Sequence, residues 1–151
     1  MAYSIDSSGI LDLFRYYPAD VFPTIWTQME AAAGSVIFAI DEVYRELEKK
    51  DDDAFQWLKA RRTMVVDLDV PTQQSVSEIL AGHPRLVDTR KSRSSGDPFV
   101  IAFARTRHLT VVTGERPSGV LAKPNIPDVC IALGIPWMNV LSMFRREGWK
   151  A

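Results

Sequence analysis

Strand-like and helix-like segments alternate along the whole of this chain. Apolar, β-branched runs typical of strands lie at residues 2–5, 35–39, 64–68 and 109–113, with a brief extended piece at 135–138. Helical patterns lie between and after them, at residues 10–14, 23–33, 41–50, 55–58, 71–81, 97–108, 126–133 and 139–147. Strands that alternate with helices pair as parallel neighbours in one sheet. The sequence therefore predicts an α/β fold whose central sheet is mostly parallel and is flanked by helices.

The length of the chain fits one domain. Its 151 residues and 17.0 kDa match the usual size of a compact domain, and such a chain buries enough surface to fold without disulfides or a structural metal. The hydrophobic fraction of 46% and the charged fraction of 25% exclude a disordered or collagen-like chain. We expect a single domain over residues 1–151.

The single cysteine and the amino terminus indicate where the protein resides. Cys130 cannot form an intramolecular disulfide, and its apolar surroundings predict a buried thiol in a reducing compartment. The first residues lack the basic region of a signal peptide, and the chain has no run of eighteen apolar residues. We expect a cytoplasmic protein that does not enter a membrane.

Charge is segregated along the chain. The net charge is −1 and the sequence pI is near 6.1, so a global basic excess typical of nucleic-acid binders is missing. Residues 85–123 nevertheless carry an excess of cations, partly within the longest predicted loop, 83–96: Arg85, Arg90, Lys91, Arg93, Arg105, Arg107, Arg116 and Lys123. A nucleic-acid contact and an ordinary solvated surface explain this excess equally well.

Several carboxylates lie at predicted strand ends or on neighbouring helices, where parallel sheets commonly carry their functional groups. Asp6 and Glu115 follow predicted strands, Asp97 begins a helix, and Glu46 lies on the helix at 41–50. Ligands of open parallel sheets bind outside the carboxyl ends of the strands. We therefore expect the carboxylates of Asp6, Glu46 and Asp97 to converge at this edge. We also expect Glu115 to lie within reach of a cation bound between them. Each residue taken alone is also explained by helix capping or by an exposed surface.

Other site types find less support. The triplet at residues 51–53 is better explained as a helix start than as a metal site, because consecutive side chains point in different directions. His83 and His108 are isolated from any cysteine pair that would complete a zinc site. The sequence contains neither GxxxxGK[ST] nor GxGxxG.

Four segments that carry the acidic residues resemble, in order, those of the PIN-domain nucleases: Ile5-Asp6-Ser7-Ser8, Val43-Tyr44-Arg45-Glu46-Leu47, Gly96-Asp97-Pro98-Phe99-Val100-Ile101-Ala102-Phe103-Ala104 and Val111-Val112-Thr113-Gly114-Glu115. The chain is most similar to the PIN-like branch catalogued as DUF4411. Three further segments extend the likeness over essentially the whole chain: Tyr16-Tyr17-Pro18, Phe22-Pro23-Thr24-Ile25-Trp26 and Ile126-Pro127-Asp128-Val129-Cys130. The resemblance implies a PIN-like three-layer α/β fold.

The resemblance also implies a function and a set of site residues. It implies a metal-dependent endoribonuclease that hydrolyses RNA phosphodiester bonds with Mg²⁺ or Mn²⁺, and the toxin of a bacterial toxin–antitoxin pair with a cognate antitoxin as partner. The implied catalytic and metal-binding residues are Asp6, Glu46, Asp97 and Glu115. The fourth position, here Glu115, is more often Asp in the wider family. The implied supporting residues are the hydroxyls of Ser8 and Thr113 and a possible fifth carboxylate, Asp128, which helix capping explains equally well.

The chemistry of this residue set is consistent with that function. Phosphodiester hydrolysis needs a nucleophilic water and charge compensation on the phosphoryl oxygens, and carboxylate-bound divalent cations provide both. Clustered carboxylates without a cation repel and raise one another's pKa, so stability does not explain them. We expect the basic residues of the flanking segments to contact the RNA phosphates: Arg90, Lys91, Arg93, Arg116 and Lys123.

Alternatives remain at this stage. A catalytically weak or inactive PIN-like module that binds RNA or protein is the second candidate. A receiver-like phosphotransferase with Asp6 as nucleophile is disfavoured, because no second acid follows two residues later. Large apolar residues at 14–26 and 137–149 predict a homodimer, through an exposed patch that includes Tyr16, Tyr17, Phe22 and Trp26. The alternative is that these aromatic side chains fill the core.

Overall fold

The computed structural model describes residues 1–50, 52–87 and 96–151. Its five strands are β1 (Tyr3–Ile5), β2 (Ile37–Ile40), β3 (Val65–Val66), β4 (Thr110–Val112) and β5 (Trp137–Met138). They form one sheet in the order β3-β2-β1-β4-β5, and every neighbouring pair is parallel. The predicted α/β fold with a parallel central sheet is confirmed.

Helices connect these strands. Those in the described residues are α1 (Ser7–Tyr16), α2 (Pro23–Ala32), α3 (Asp41–Glu48), α4 (Asp53–Lys59), α5 (Val70–Gly82), α6 (Asp97–Arg107), α7 (Ile126–Leu133) and α8 (Val140–Glu147). Short 3₁₀ turns lie at Arg62–Met64 and Pro84–Leu86. Within the described ranges, no helix has the length and apolar character needed to cross a bilayer.

The helices cover both faces of the sheet. The chain runs outward from β1 through β2 to β3, and it then crosses back to β4 and β5. Because crossovers between parallel strands are right-handed, this reversal places the later connections on the opposite face. The contacts agree: α5 and α7 pack against α6, whereas α1 contacts α3, α4 and α8. The result is a three-layer structure.

The core lies around the central strand β1 and the helix α6. All three residues of β1 are buried, as expected for a strand covered on both faces. In α6, five consecutive residues from Val100 to Ala104 are at most 2% exposed. The Ser4 hydroxyl donates a hydrogen bond of 3.1 Å to the Val100 carbonyl and so joins α6 to β1. The sequence-based prediction of a central helix after residue 97 is therefore correct.

Several element boundaries differ from the prediction. A loop is predicted at residues 6–9, but α1 begins at Ser7 because the Asp6 side chain caps it by accepting from the Gly9 N–H at 2.7 Å. The N-cap of α6 is Gly96, so Asp97 is the first helical residue, not the cap. The third strand, predicted over 64–68, is reduced to two residues because a 3₁₀ turn ends at Met64.

The predicted exposed aromatic patch is mostly part of the core. Trp26 is only 9% exposed, and its ring contacts those of Phe14 and Trp57 edge-on, with centroids 4.8 and 5.7 Å away. Tyr17 and Phe22 are half-buried and contact each other. The prediction of a patch is therefore wrong for these three residues. Of the four predicted members, Tyr16 alone is exposed, at 57%.

Candidate functional site

The candidate site begins where β1 and β4 end side by side. Ile5 and Val112 are register partners, and the next residues are Asp6 and Thr113. The Asp6 N–H donates to the Val112 carbonyl at 3.0 Å, which extends the pairing by one residue. The Thr113 hydroxyl donates to Oδ2 of Asp6 at 2.7 Å. The carboxylate is thus fixed at the carboxyl edge of the sheet.

A pair of hydroxyls orients the Asp6 carboxylate. Ser8 Oγ lies 2.9 and 2.8 Å from the two Asp6 oxygens and 3.2 Å from Thr113 Oγ1. Ser8 Oγ accepts from the Gly114 N–H at 2.9 Å, and Thr113 Oγ1 accepts from the Glu115 N–H at 3.1 Å. Because an ionised carboxylate can only accept hydrogen bonds, both hydroxyl protons are directed at Asp6. Ser8 and Thr113 therefore both contact Asp6, and their supporting role in a site stays a prediction.

Burial sets the electrostatics of Asp6. The residue is 3% exposed, and this burial raises the pKa of Asp6 to about 7. Hydrogen bonds from Thr113, Gly9 and Ser8 lower the pKa, and the nearby negative charge of Glu115 raises it. The carboxyl group is therefore balanced between its protonated and ionised forms near neutral pH.

Glu115 lies next to Asp6 and anchors the following segment. Its Oε1 accepts a hydrogen bond of 3.0 Å from the N–H of Ile126, the first residue of α7. Burial raises the pKa of the Cys130 thiol to about 12, and the charges of Asp6 and Glu115 contribute to this rise. The cysteine is fully buried, as its apolar surroundings in the sequence predict.

Asp97 and Glu46 lie on helices that meet the same part of the fold. Asp97 is 5% exposed and is the first residue of α6. The Val100 carbonyl accepts a hydrogen bond from Ser4 of β1. Asp97 lies three residues before Val100, which is about 4.5 Å along the helix axis. This offset points towards the carboxyl edge, because α6 leads back to the start of β4. Glu46 is half-buried on α3, a helix that contacts α1 and α6.

The oxygen-rich surroundings of Asp6 suit a hard divalent cation. The Asp6 and Glu115 carboxylates and the Ser8 and Thr113 hydroxyls offer only oxygen atoms, which Mg²⁺ and Mn²⁺ prefer. Burial and the charge of Glu115 raise the pKa of Asp6, and a bound cation would favour its ionised form. However, within residues 1–50, 52–87 and 96–151, no group of three His, Cys, Asp or Glu side chains is arranged to hold a metal ion.

Asp128 anchors a loop. Its Oδ2 accepts from the N–H groups of Ser118 and Asn125 at 2.8 Å each, and its Oδ1 accepts from Gly119 at 3.0 Å. Burial alone would raise the pKa of Asp128, but these backbone hydrogen bonds lower it below its ordinary value. With the Asn125 side chain, Asp128 forms a capping box at the start of α7. Of the two explanations left open by the sequence, capping is the one that these contacts support.

The predicted RNA-binding cations divide into two groups. Arg116 and Lys123 are exposed in the segment between β4 and α7, and the Arg116 carbonyl accepts a hydrogen bond from the Asn125 side chain at 2.8 Å. Arg90, Lys91 and Arg93 lie outside the described residues. Arg116 directly follows Glu115 in the chain, and the contacts of all five residues with RNA stay a prediction.

A cleft of about 410 Å³ begins at Glu115 and includes residues that the sequence analysis missed. Asp12 lines this cleft, and burial raises its pKa. An added Cβ at Gly114 would strike the Asp12 carboxylate and would lie 3.0 Å from the Ser8 carbonyl, so only glycine allows this approach. Asp12 lies four residues after Ser8, a spacing that places both on one helix face. That signal was hidden because the sequence predicts a loop, not a helix, at Ser8.

Solved structures of other proteins share this fold. A VapBC2 structure from Rickettsia felis, bound to a DNA fragment from its promoter, matches with a TM-score of 0.58 and 11% identity over 92% of this chain and 98% of that chain. FitAcB from Neisseria gonorrhoeae matches with a TM-score of 0.56 and 13% identity, over 91% and 96% of the two chains. DNA-bound VapBC from Salmonella typhimurium matches with 0.57 and 16%, over 92% and 98%. At identities this low, these structural matches show a shared fold alone.

The family comparison covers nearly the whole chain. No curated protein matches the sequence. The family described as "Domain of unknown function (DUF4411)" matches residues 3–151, in agreement with the resemblance of the acidic segments. The chain therefore belongs to the DUF4411 family and has the PIN-like α/β fold that this resemblance implies.

Proposed function

We propose that this protein is a metal-dependent endoribonuclease that hydrolyses RNA phosphodiester bonds. The observation that carries the proposal is the buried Asp6 carboxylate, oriented by two hydroxyls and close to Glu115 at the carboxyl edge of the parallel sheet. Such sheet edges are where α/β proteins bind their ligands. Burying the Asp6 carboxyl close to a second, half-buried carboxylate destabilises the fold, so a role in the site explains this pair better than stability does.

The residues have distinct roles in this proposal. Asp6 and Glu115 would hold Mg²⁺ or Mn²⁺, together with Asp97 and Glu46 from the neighbouring helices. A cation held there would supply an activated water and charge compensation on the phosphoryl oxygens. Ser8 and Thr113 keep both oxygens of Asp6 in a fixed orientation through their hydroxyl protons. Asp128 acts indirectly, because it holds the loop that follows Glu115.

We further propose that the protein is the toxin of a bacterial toxin–antitoxin pair and works in the cytoplasm, where its RNA substrate lies. The resemblance to PIN-domain toxins supports this proposal, and so does the shared fold with the VapBC and FitAB assemblies. A cognate antitoxin is the expected partner. Expression of the wild-type protein alone should arrest bacterial growth, and expression of Asp6→Asn should not. Equal growth arrest by both proteins would contradict a toxic nuclease activity centred on Asp6.

Cleavage of RNA tests the central proposal. The purified protein should cleave single-stranded RNA with Mg²⁺ or Mn²⁺ and lose this activity in EDTA. Asp6→Asn keeps the size of the side chain but removes the charge, so cleavage should fall at least about 100-fold. Asp20→Asn, at an exposed position, is the matched control and should keep full activity. Cleavage that persists in EDTA or in Asp6→Asn would refute the proposal.

The other carboxylates are tested with matched pairs. Glu46 is half-buried on α3, whereas Glu48 on the same helix is exposed. Glu46→Gln should therefore reduce cleavage, and Glu48→Gln should leave it unchanged. Glu115→Gln should make RNA cleavage depend on a higher Mn²⁺ concentration than the wild-type protein needs. If Glu115→Gln retains full cleavage at every Mn²⁺ concentration, its direct role in holding metal is wrong.

A binding module without catalysis is the second candidate. It is favoured by one observation: the part of the chain that the structure describes contains no group of three acidic or other metal-binding side chains suited to a cation. Such a module would bind RNA or protein without cleaving it. RNA binding by the wild-type protein without cleavage in either metal would establish this alternative.

A homodimer remains a proposal, supported by the PIN resemblance. The exposed aromatic patch that suggested it is reduced to Tyr16. Pairing would join two acidic pockets into one groove. Light scattering should give about twice the 17.0 kDa of one chain at micromolar concentration. A mass of one chain, with cleavage intact, would remove the dimer.

A further inference from the structure

The cleft beside Glu115 is a separate feature of the surface. It measures about 410 Å³, within the size range of clefts that hold small organic groups. It lies between the end of α1, the Gly114–Arg116 segment after β4, and the residues from Trp137 to Leu141. Glu115 lines this cleft and also lies close to Asp6. An RNA strand bound in the cleft would therefore reach the carboxylates of the proposed metal site.

Tyr16 gives this cleft an exposed aromatic ring. At 57% exposure, it is the one aromatic residue in the described ranges that is mainly accessible to solvent. Its neighbour Tyr17 is different, because the Tyr17 ring packs against those of Phe22 and Phe144 at 5.5 and 4.9 Å between centroids. The Tyr16 ring is therefore available to a ligand, and Trp137, which is half-buried, supplies a second aromatic surface in the same cleft.

Two arginines accompany the aromatic rings. The Arg15 guanidinium carbon lies 5.9 Å from the centroid of the Tyr16 ring, and Arg116 lines the cleft next to Glu115. Guanidinium groups bind phosphates, and aromatic rings stack on unpaired bases. The Asp12 carboxylate also lines the cleft and can accept hydrogen bonds from the amino groups of a base. The cleft thus offers partners for the base and for the phosphate of a nucleotide.

We propose that this cleft binds one unpaired nucleotide of the RNA next to the cleaved bond, with its base stacked on Tyr16 and its phosphate held by Arg15 and Arg116. This inference rests on the proposed endoribonuclease function and adds where the substrate lies. A protein partner fits the cleft less well, because stable protein interfaces bury about 800 Å² on each side and need a broader surface. A single nucleotide matches the size of the cleft and its residues.

The binding test separates this cleft from catalysis. All binding variants carry Asp6→Asn and are measured in EDTA, so the RNA stays intact. Fluorescence anisotropy follows a short labelled single-stranded RNA and a matched strand with abasic positions. Tyr16→Ala should weaken binding of the intact strand by about 5- to 150-fold, the effect of one lost base–aromatic stack. Tyr16→Phe should restore most of the affinity, because the phenyl ring still stacks.

Three further measurements sharpen the result. The abasic strand should bind more weakly than the intact strand to the parent protein, and Tyr16→Ala should weaken it little further. Arg15→Gln should flatten the salt dependence of binding by about 0.7 in log–log slope, the loss of one phosphate contact. Val70→Ala, at a position 63% exposed at the start of α5, is the control and should bind as the parent does.

The outcomes distinguish this inference from the proposed function. If wild-type protein cleaves RNA but Tyr16→Ala binds the intact strand as tightly as the parent, the nucleotide site is wrong and the nuclease proposal stands. If Tyr16→Ala loses base-dependent binding but wild-type protein cleaves no RNA in either metal, the cleft binds a nucleotide, but the nuclease proposal and the place of the nucleotide next to a cleaved bond fail.

Discussion

The buried Asp6 carboxyl predicts an unusual pH dependence of stability. Its pKa is about 7 in the folded protein, against an ordinary value of 3.8. The folded state therefore binds this proton more tightly than the unfolded state does. Between pH 4 and pH 7, unfolding releases the proton, so the free energy of unfolding should fall as the pH rises. Most proteins whose carboxyl groups have lowered pKa values show the opposite slope at acidic pH.

The magnitude follows from the size of the shift. A difference of about 3 pKa units corresponds to about 4 kcal/mol at 1.36 kcal/mol per unit. For a domain of this length, a loss of that size lowers the Tm by roughly 10 °C. The loss is complete above about pH 7, where Asp6 is ionised in both states. Asp69 and Asp128 have lowered pKa values, so they act in the opposite direction and at more acidic pH.

Urea unfolding in EDTA at four pH values from 4.5 to 7.5 measures this loss. Asp6→Asn replaces the carboxyl with a neutral group of the same shape, so it should remove most of the fall in stability across this range. Asp20→Asn, which is exposed, should keep the wild-type slope. Burial also raises the pKa of Asp12, so the difference between wild type and Asp6→Asn, not the wild-type slope alone, gives the contribution of Asp6.

A divalent cation should reverse the loss. At pH 7.5, Mn²⁺ or Mg²⁺ that binds the folded protein stabilises it by about 2.7 kcal/mol at 100 times its Kd. Wild type should gain this stability, and Asp6→Asn should gain much less. Identical pH profiles for wild type and Asp6→Asn would refute the reasoning from burial. Equal stabilisation of both proteins by the metal would refute the assignment of Asp6 as a ligand.

Three further predictions concern the surroundings of Asp6. Thr113→Val removes a hydroxyl that donates to Asp6, so the free energy of unfolding at pH 7.5 should fall by about 1–3 kcal/mol, whereas Thr113→Ser should lose less; an equal loss in both would contradict the role of the hydroxyl. Gly114→Ala places a Cβ 3.0 Å from the Ser8 carbonyl oxygen of α1 and should lower the free energy of unfolding by about 1–3 kcal/mol. Gly82→Ala places a Cβ in open space and should leave the free energy of unfolding no lower. The Cys130 thiol should react with a thiol reagent at pH 8 only as fast as the protein unfolds, and fast labelling of the native protein would show that it is accessible.

The fold was accessible from the sequence because its strongest signals are local. The run from Val100 to Ala104 is apolar on all sides, which predicts a central helix, and the structure buries it at the centre. The short strand at residues 109–113 is similarly clear from its β-branched residues. The start of α1 was not predictable from the sequence, because Ser-Ser-Gly is typical of a loop. The Asp6 cap makes this segment a helix. Glycine is needed at position 9 because a Cβ there would lie 3.0 Å from the Val112 carbonyl.

The site was partly accessible for the same reason. Positions next to strand ends identify Asp6 and Thr113, and parallel pairing brings them together at 2.7 Å. Asp12 and Tyr16 carry no such signal, since their importance depends on where the carboxyl end of α1 meets the segment after β4. That meeting is a tertiary contact between residues about a hundred positions apart. The prediction of an exposed aromatic patch was wrong for a related reason, because sequence composition does not tell which rings pack inward.

The partners of Asp6 suggest why its carboxyl is left with a raised pKa. The three groups that donate to it, the Gly9 N–H and the Ser8 and Thr113 hydroxyls, are all neutral. An arginine or lysine in their place would compensate the charge and would also repel an incoming cation. Neutral donors fix the orientation of the oxygens without compensating their charge. The fold therefore fixes the orientation of the Asp6 carboxyl, and a cation bound there would supply the charge balance, so metal binding and stability should be coupled through this one carboxyl.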